Sequence, residues 1–376
     1  MNPALASRPR DALRPRPASS PLPTVSEGPP ASAWPVAVLG VPFDPVTTGE
    51  AIRRIDAMIA SRESHYIVTA NVDFLVQANR DVELRRILLE ADLVLCDGTP
   101  LLWAARWLGS RLPERVAGSD LAPALLANAA AKGHRVFLLG AAEGVAAAAA
   151  SRLVATYPNL QVVGHFAPPY SPLLEMNHAE MVQRIRAARP DLLLVSFGCP
   201  KQEKWIAMHH QSLGVPVAIG VGATLDFLAG RIQRAPEWMR RTGTEWLYRL
   251  ALEPKRLYRR YADDLFTFLP TLLRQACSFS RRRRAGRIAP VVRTAEPESC
   301  VIAAGDRLTL QSLQEEAGFW HEAQALPLSV RLDLAATQHL DATGVAFLIR
   351  WRKLLRDRGQ SLILLNPHRA VRRVLH

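Results

Sequence analysis

From Trp34 onward the chain repeats one pattern. A short continuous apolar run is followed by a polar or glycine-rich break, and then by roughly 15–25 residues with apolar positions at helical spacing. The runs are VAVLG, HYIVTAN, ADLVLCDG, HRVFLLG, LQVVGHF, DLLLVSFG and VPVAIGVG, and VDFLVQANRDVELRRILLEA is a typical helical stretch. Strands that read as unbroken Val, Ile and Leu, alternating with helices, belong to a parallel sheet covered on both faces. Residues 34–230 are therefore expected to form a Rossmann-like, doubly wound α/β domain. Residues 231–275 look helical and are dense in arginine and aromatics, and 276–299 reads as a basic linker containing RRRRAGR. The segment 300–376 reads as a separate small α/β unit: LSVRLDL, a turn, a helix from about Thr343, then SLILLNP. Residues 1–33 repeat proline and arginine with few large apolar residues, the composition of a disordered tail.

Composition changes this picture in one respect. The 376 residues carry a formal charge of +13, and an excess of that size suits an anionic partner. Residues 231–287 hold 15 Lys+Arg against 5 Asp+Glu, so ten of the thirteen charges belong to the helical extension and the linker. The four cysteines, Cys96, Cys199, Cys277 and Cys300, are scattered without CxxC spacing, which argues against a zinc site or a disulfide framework and for a reducing compartment. No apolar run reaches the roughly 18 residues of a membrane span. The N-terminus has arginines but no apolar core of a secretory signal, so a cytosolic location is expected.

Ligands in open parallel sheets bind at the carboxyl ends of the strands. Five expected strand ends carry suitable groups: Thr69, Asn71 and Asp73; Asp97 and Gly98; Gly140 and Glu143; Gly198, Lys201, Gln202 and Glu203; and Gly220, Gly222 and Asp226. Each also has a plain reading. Asn71 and Asp73 fit helix capping, and Asp97-Gly98 fits a turn. The turn after VFLLG is a loosened phosphate-binding loop without GxGxxG or a P-loop. No spaced aspartate pair sits at a strand end to hold a metal–diphosphate, and Asp263-Asp264 lies in the extension. A departing diphosphate would then be neutralised by arginines or backbone N–H groups.

TANVDFLVQANRD, ADLVLCDGTPLLWAARWLG, RVAGSDL, VSFGCPKQEKWI, GVGATLDFLAG and RAPEWMRRTGTEWLYRLALEPKRLYRRY, taken in order, resemble the WecG/TagA/CpsF glycosyltransferases. The resemblance implies an inverting hexosyltransferase of cell-surface polysaccharide synthesis that needs no metal and no cofactor. Its donor would be a UDP-sugar of the N-acetylmannosamine, N-acetylmannosaminuronate, glucose or glucuronate type, and its acceptor a polyprenyl-diphosphate-linked saccharide. Asp97 would be the general base and Thr69 a second catalytic residue. Asn71, Gly98, Gly140, Gln202, Gly220 and Gly222 would line the substrate pocket. Aspartate is a weak base, with an ordinary pKa of about 3.9, so it would accept the acceptor proton late in the attack. The extension matches the family's C-terminal appendage, which implies that Arg234, Arg249, Arg256 and Arg259 close over the diphosphate. Arginines mixed with Trp238, Trp246, Tyr248, Tyr258 and Phe266 also suit an anionic membrane surface, and equally an ordinary packing helix with a solvated basic face. The expected location is the inner face of the cytoplasmic membrane, and no nucleic-acid partner is implied.

LSVRLDLAATQHLDATGVAFLIRWRKLLRDRGQSLILLNPHRAVRRVL resembles a STAS domain. In that family an Asp-Ser/Thr-Ser/Thr-Gly motif carries a phosphorylatable hydroxyl, and Asp341-Ala342-Thr343-Gly344 puts Thr343 at that position. Thr343 is also placed to cap the helix it opens. The resemblance implies a protein partner for this domain, and the stop at His376 leads to the expectation of a domain that lacks its final helix or is degenerate. The alternative function is a catalytically silent UDP-sugar-binding regulator acting through the STAS-like unit.

Overall fold

A computed structural model gives the structure of the chain and describes residues 34–233, 235–236, 238–239, 244–252, 254–279, 288–295 and 299–375. Segment 1–33, Arg234 and the RRRRAGR run at 281–287 lie outside the described residues.

The first domain runs β1 (Val36–Val38), β2 (Val41–Phe43), α1 (Thr48–Ser61), β3 (His65–Ala70), α2 (Val72–Arg80), α3 (Val82–Glu90), β4 (Leu93–Cys96), α4 (Thr99–Trp107) and α5 (Gly118–Lys132). It continues with β5 (Arg135–Gly140), α6 (Val145–Thr156), β6 (Gln161–Phe166), α7 (His178–Ala188), β7 (Leu192–Ser196), α8 (Lys201–Leu213), β8 (Val217–Gly220) and α9 (Thr224–Leu228). Strands β3 to β8 make one six-stranded sheet, in the order β4-β3-β8-β7-β5-β6, with every pairing parallel. The unbroken apolar runs follow from burial on both faces, because successive side chains point to opposite sides. Ile67, Leu95, Leu138, Leu194 and Ile219 pack against α1, α5, α6 and α9. Their neighbours Val68, Cys96, Leu139, Val195 and Ala218 pack against α2, α3, α4 and α8.

One apolar run departs from the expected pattern. VAVLG is not a strand of the parallel sheet: β1 pairs only with β2, antiparallel, as a hairpin. Leu39 and Gly40 form its two-residue loop with φ of 50° and 78°. Two successive positive φ values give the turn whose twist closes a hairpin, which a parallel crossover does not need.

The appendage comprises α10 (Glu245–Leu252) and α11 (Pro254–Phe279). One side of α11 enters the core through Phe268 and Leu272. Arg80 pairs with Asp263 at 2.9 Å and 3.0 Å, and Gln275 brackets β1 by bonding the Ala37 carbonyl and the Leu39 N–H, each at 2.8 Å. On its other side Leu265, Phe266, Leu269 and Leu273 are exposed. The helix carries on to Phe279, so residues 276–279, which the pattern put in a linker, are helical.

The C-terminal domain comprises β9 (Val291–Ala295), β10 (Ser299–Ala303), β11 (Arg307–Leu308), α12 (Leu310–Glu315), α13 (Ala317–Ala325), β12 (Ser329–Asp333), β13 (His339–Leu340), α14 (Ala342–Asp357), β14 (Leu362–Leu365) and α15 (Arg369–Leu375). Its main sheet has the order β14-β12-β10-β9, with β9 antiparallel to β10 and the other pairs parallel. Strand β9 falls in the stretch read as linker, so the domain starts before residue 300.

Helix α14 packs on β1, β2 and α3 of the first domain. Its Arg350 bonds the Ala91 carbonyl at 2.6 Å and the Pro42 carbonyl at 3.2 Å, and pairs with Asp44. Lys353 reaches Asp92 at 2.8 Å, and Arg356 reaches Glu90 at 2.8 Å. Trp34 is buried in the C-terminal core, stacked on His321 at 5.0 Å, while Ala342 is buried in the core of the first domain.

Candidate active site

The sheet order brings the five polar strand ends onto adjacent strands, β4-β3-β8-β7-β5, at one carboxyl edge. At the β3–β4 end, the Asp97 N–H donates to the Ala70 carbonyl at 2.9 Å, which fixes the half-buried aspartate directly beside the end of β3. Asn71 caps α2, its Oδ1 accepting from the Phe74 N–H at 3.3 Å, so the capping reading holds. A Cβ on Gly98 would lie 3.8 Å from the Asn71 Cβ, which makes the two neighbours across the strand ends. Asp73 accepts from Gln77 Nε2 at 2.8 Å within α2. The Cys96 thiol is pushed up to about 12, by burial first and then by the charge of Asp97, so it stays protonated and is no nucleophile.

Thr69 joins this end to the next strand. It is buried, and its hydroxyl donates to the Gly220 carbonyl at 3.2 Å, tying β3 to β8. A Cβ on Gly118, at the start of α5, would come within 3.1 Å of that hydroxyl.

The β7–β8 end is built around Gln202, in the first turn of α8 and only 2% exposed. Its Oε1 accepts from the Gly198 N–H at 3.1 Å and from the Gly222 N–H at 3.0 Å. Its Nε2 donates to Glu203 Oε1 at 2.7 Å. Gln202 is thus a crosslink between two glycine turns, and only its second N–H is left to face a ligand. A Cβ on Gly220 would sit 2.7 Å from Gln202 Nε2 and 2.8 Å from Glu203 Oε1, so any larger residue there would displace this crosslink. The Ser196 hydroxyl donates to the Gly222 carbonyl on the same edge. At β5, Gly140 has φ +99°, and a Cβ would lie 2.6 Å from the Ser196 carbonyl oxygen. The β5 turn is drawn against β7 by the Ala141 N–H, which donates to that same oxygen at 2.7 Å.

Two residues of this region matter more than the sequence pattern suggested: Glu203, read only as one of the strand-end polar groups, and Arg115, which was given no role. Glu203 is buried and its Oε2 has no hydrogen-bond partner. Burial pushes its carboxyl up to about 7, assisted by the charge of Asp73 and opposed by hydrogen bonds from Gln202 and Cys199. The available signal was helical spacing: Glu203, Ile206 and Leu213, three and seven residues apart, share one buried face of α8. Arg115 holds Asp120, in the first turn of α5, at 2.6 Å, and Glu245, the first residue of α10, at 3.2 Å. The next residue, Val116, donates its N–H to the Cys96 carbonyl at 2.8 Å, one position before Asp97. Arg115 therefore latches the appendage to the strand end that carries the candidate base.

The four arginines expected over the diphosphate are placed only in part. Arg234 lies outside the described residues; Arg249 is on α10 and Arg256 on α11, with side chains also outside them. Arg259 is exposed and lines a cleft between α10 and α11 with Leu250, Pro254, Lys255 and Tyr258; none of the strand-end residues lines that cleft. Thr343 is fully buried, its hydroxyl 2.7 Å from Ser110 Oγ. Capping of α14 falls to Asp341, which accepts from the Gly344 N–H at 2.9 Å. Among the described residues no three His, Cys, Asp or Glu side chains are grouped to hold a metal ion, and no helix is long and apolar enough to cross a membrane.

Comparison with known proteins identifies the two domains. Residues 36–282 match the glycosyl transferase WecG/TagA/CpsF family, and residues 293–376 match the STAS domain. The chain is 32% identical over 235 residues to an N-acetylglucosaminyldiphosphoundecaprenol N-acetyl-beta-D-mannosaminyltransferase of Staphylococcus aureus strain NCTC 8325, covering 62% of this chain and 91% of that protein. The protein of the same name from strain MRSA252 matches at the same identity and coverage. The chain belongs to the WecG/TagA/CpsF family of glycosyltransferases and carries a STAS domain at its C-terminal end.

Proposed function

We propose that this glycosyltransferase moves an N-acetylmannosamine-type sugar from a UDP donor to a polyprenyl-diphosphate-linked N-acetylglucosamine, inverting the anomeric centre and using no metal. The observation that carries the reading is the position of Asp97, at the carboxyl end of β4 beside Asn71 and Gly98, on the edge that also holds the glycine turns of β5, β7 and β8. Such turns let backbone N–H groups approach a nucleotide diphosphate. In the reaction, the acceptor hydroxyl attacks the anomeric carbon on the face opposite UDP. The bond to the UDP oxygen breaks, and the Asp97 carboxylate takes the hydroxyl proton. The charge left on UDP is met by appendage arginines rather than by a metal, a reading favoured by the excess of ten positive charges in residues 231–287 and by the lack of a spaced aspartate pair at a strand end. The names of the staphylococcal relatives support the choice of sugar and acceptor.

Membrane association is part of the proposal. Leu265, Phe266, Leu269 and Leu273 form an exposed apolar stripe on α11, with Trp246 and Tyr258 nearby in sequence and exposed as well. An apolar stripe in a basic segment suits the headgroup boundary of an anionic leaflet.

The test measures UDP release with UDP-N-acetylmannosamine, its uronate, UDP-glucose and UDP-glucuronate, each with the lipid-linked acceptor. Asp97→Asn should lower kcat/KM by about 10²–10⁴-fold, and turnover that survives this change rules Asp97 out as the base. EDTA should leave the rate unchanged; strong inhibition would overturn the arginine-for-metal reading. Binding of UDP-sugar without turnover of any donor would favour the silent regulator. Salt-sensitive binding to DNA without binding to anionic liposomes would remove the membrane reading.

A further inference from the structure

The STAS domain meets the catalytic domain through the face that opens α14. Thr343, in its first turn, has no exposed surface, and its hydroxyl shares a 2.7 Å hydrogen bond with Ser110. Arg350 and Lys353, further along the same helix, bind carbonyls and carboxylates of the catalytic domain. The seam is reciprocal, since Trp34 completes the STAS core from the catalytic side. With its hydroxyl paired and its cations turned onto the catalytic domain, leaving only the buried Arg350 Nε–H without a partner among its described groups, this face is already occupied from within the chain.

Ser110 is also joined along the chain to the site. It follows α4 and begins the segment that ends in Arg115 and Val116. Arg115 holds α10 through Glu245, and Val116 bonds the strand end before Asp97. The segment thus runs from the seam to both the appendage and the candidate base.

We infer that the partner of this STAS face is the chain's own transferase domain, and that the docked domain is a fixed part of the catalytic unit, supporting the segment from Ser110 to Val116. Docking and a phosphoryl group on Thr343 exclude each other, because a dianion cannot be placed at a fully buried hydroxyl pair without opening the seam. The inference rests on the transferase reading only where turnover is the readout.

The experiment uses the full chain with Ser110→Cys and Thr343→Cys together. Two side chains in hydrogen-bond contact are close enough for a disulfide. Oxidation should form a disulfide between the two introduced thiols, identified by peptide mass mapping, with turnover staying within about twofold of the reduced form, whereas a loss beyond about tenfold that is reversed by reduction would mean the domain must leave for catalysis. Failure of the bond to form in the folded protein would overturn docking itself, whatever the enzyme's activity. As a second arm, Thr343→Glu should deprotect the amides of residues 36–43 and 342–357 to hydrogen exchange and raise the KM for the lipid acceptor at least about fivefold, with Thr343→Val close to the parent in both. Unchanged protection and kinetics in Thr343→Glu would overturn the proposal.

Discussion

The floor of the carboxyl edge, where Gln202 joins the turns after β7 and β8, and the seam with the STAS domain are both crosslinked by polar side chains, but in different proportions of neutral bonds and ion pairs. On the floor, Gln202 and Glu203 are each 2% exposed, and among the bonds they make none is an ion pair. At the seam, Arg350, Lys353 and Arg356 face Asp44, Asp92 and Glu90, with side-chain exposures from 11% to 51%. Buried neutral crosslinks fix geometry and are indifferent to ionic strength. Partly exposed ion pairs are weaker and yield to salt and pH. The β7–β8 part of the edge is therefore preorganised, while the neighbouring domain is held by one buried hydroxyl pair and, around it, by ion pairs that solution conditions can weaken.

The largest expected effect comes from breaking the floor. Gln202→Ala leaves the Gly198 and Gly222 N–H groups without their shared acceptor, and Glu203 Oε1 without its donor. At about 1–3 kcal/mol for each buried unsatisfied group, the loss should reach several kcal/mol in a denaturation midpoint. Because both turns are displaced, kcat/KM should fall by about 10²-fold or more. A variant with the parent's midpoint would show that the glutamine is not the crosslink described above. Next comes Glu203. Its carboxyl holds a proton up to about 7 in the folded chain, against an ordinary value of 4.5. The folded state therefore binds more protons than the unfolded one between these limits. Stability should fall as pH rises across that window, by about 3 kcal/mol in all, and level off above it. Glu203→Gln should remove that slope without weakening the protein near pH 5. The same slope persisting in the variant would assign it to another group.

Much of the floor was legible in the chain, and most of the seam was not. Continuous apolar runs ending in Thr69, Asp97, Gly140, Gly198 and Gly220 identify strands, and the rule that ligands gather at carboxyl ends identifies their common edge. What the runs cannot carry is pairing. VAVLG has the same local pattern as HRVFLLG, yet the turn at Leu39-Gly40 sends it into a hairpin that packs under α14. Gln202 reads as a pocket residue because it stands at a strand end, and its role as a crosslink depends on Gly222, twenty residues away. Thr343 reads as a phosphosite or a cap because both are local patterns. Its burial comes from Ser110, 233 residues distant, and nothing local announces that contact. Arg115 sits in a loop with an ordinary basic composition; only the return of the appendage gives it Glu245.

The seam gives the third effect. Burial works against a charge on Asp92, but His65, Lys353 and the Tyr66 N–H outweigh it and hold the carboxyl at about 2. A depressed carboxylate contributes fully above its ordinary value of 3.8 and loses that contribution as pH falls through the folded value. The amount at neutral pH is about 2 kcal/mol. Asp92→Asn should remove it and flatten the acid limb of the stability curve below pH 4, without touching the slope assigned to Glu203. If the acid limb is unchanged, the seam is not held by this pair.

The smallest effect on stability, and the most informative on function, belongs to Arg115. Its side chain is 18% exposed and pairs with Asp120 and Glu245. Pairs of that exposure contribute about 1 kcal/mol or less, so Arg115→Ala should move the melting temperature little. If the arginine latches the appendage, its loss should raise the KM for the lipid-linked acceptor severalfold and change kcat less, since the appendage would be docked for a smaller fraction of the time. Glu245→Gln should reproduce that split, and Asp120→Asn should not, because Asp120 lies on the catalytic domain itself. Steady-state kinetics on the three variants separate two roles for one side chain. A fall in kcat shared by Arg115→Ala and Asp120→Asn, with Glu245→Gln unaffected, would place Arg115 with the floor, holding the strand end of Asp97. A KM effect shared with Glu245→Gln assigns it to holding the appendage in place.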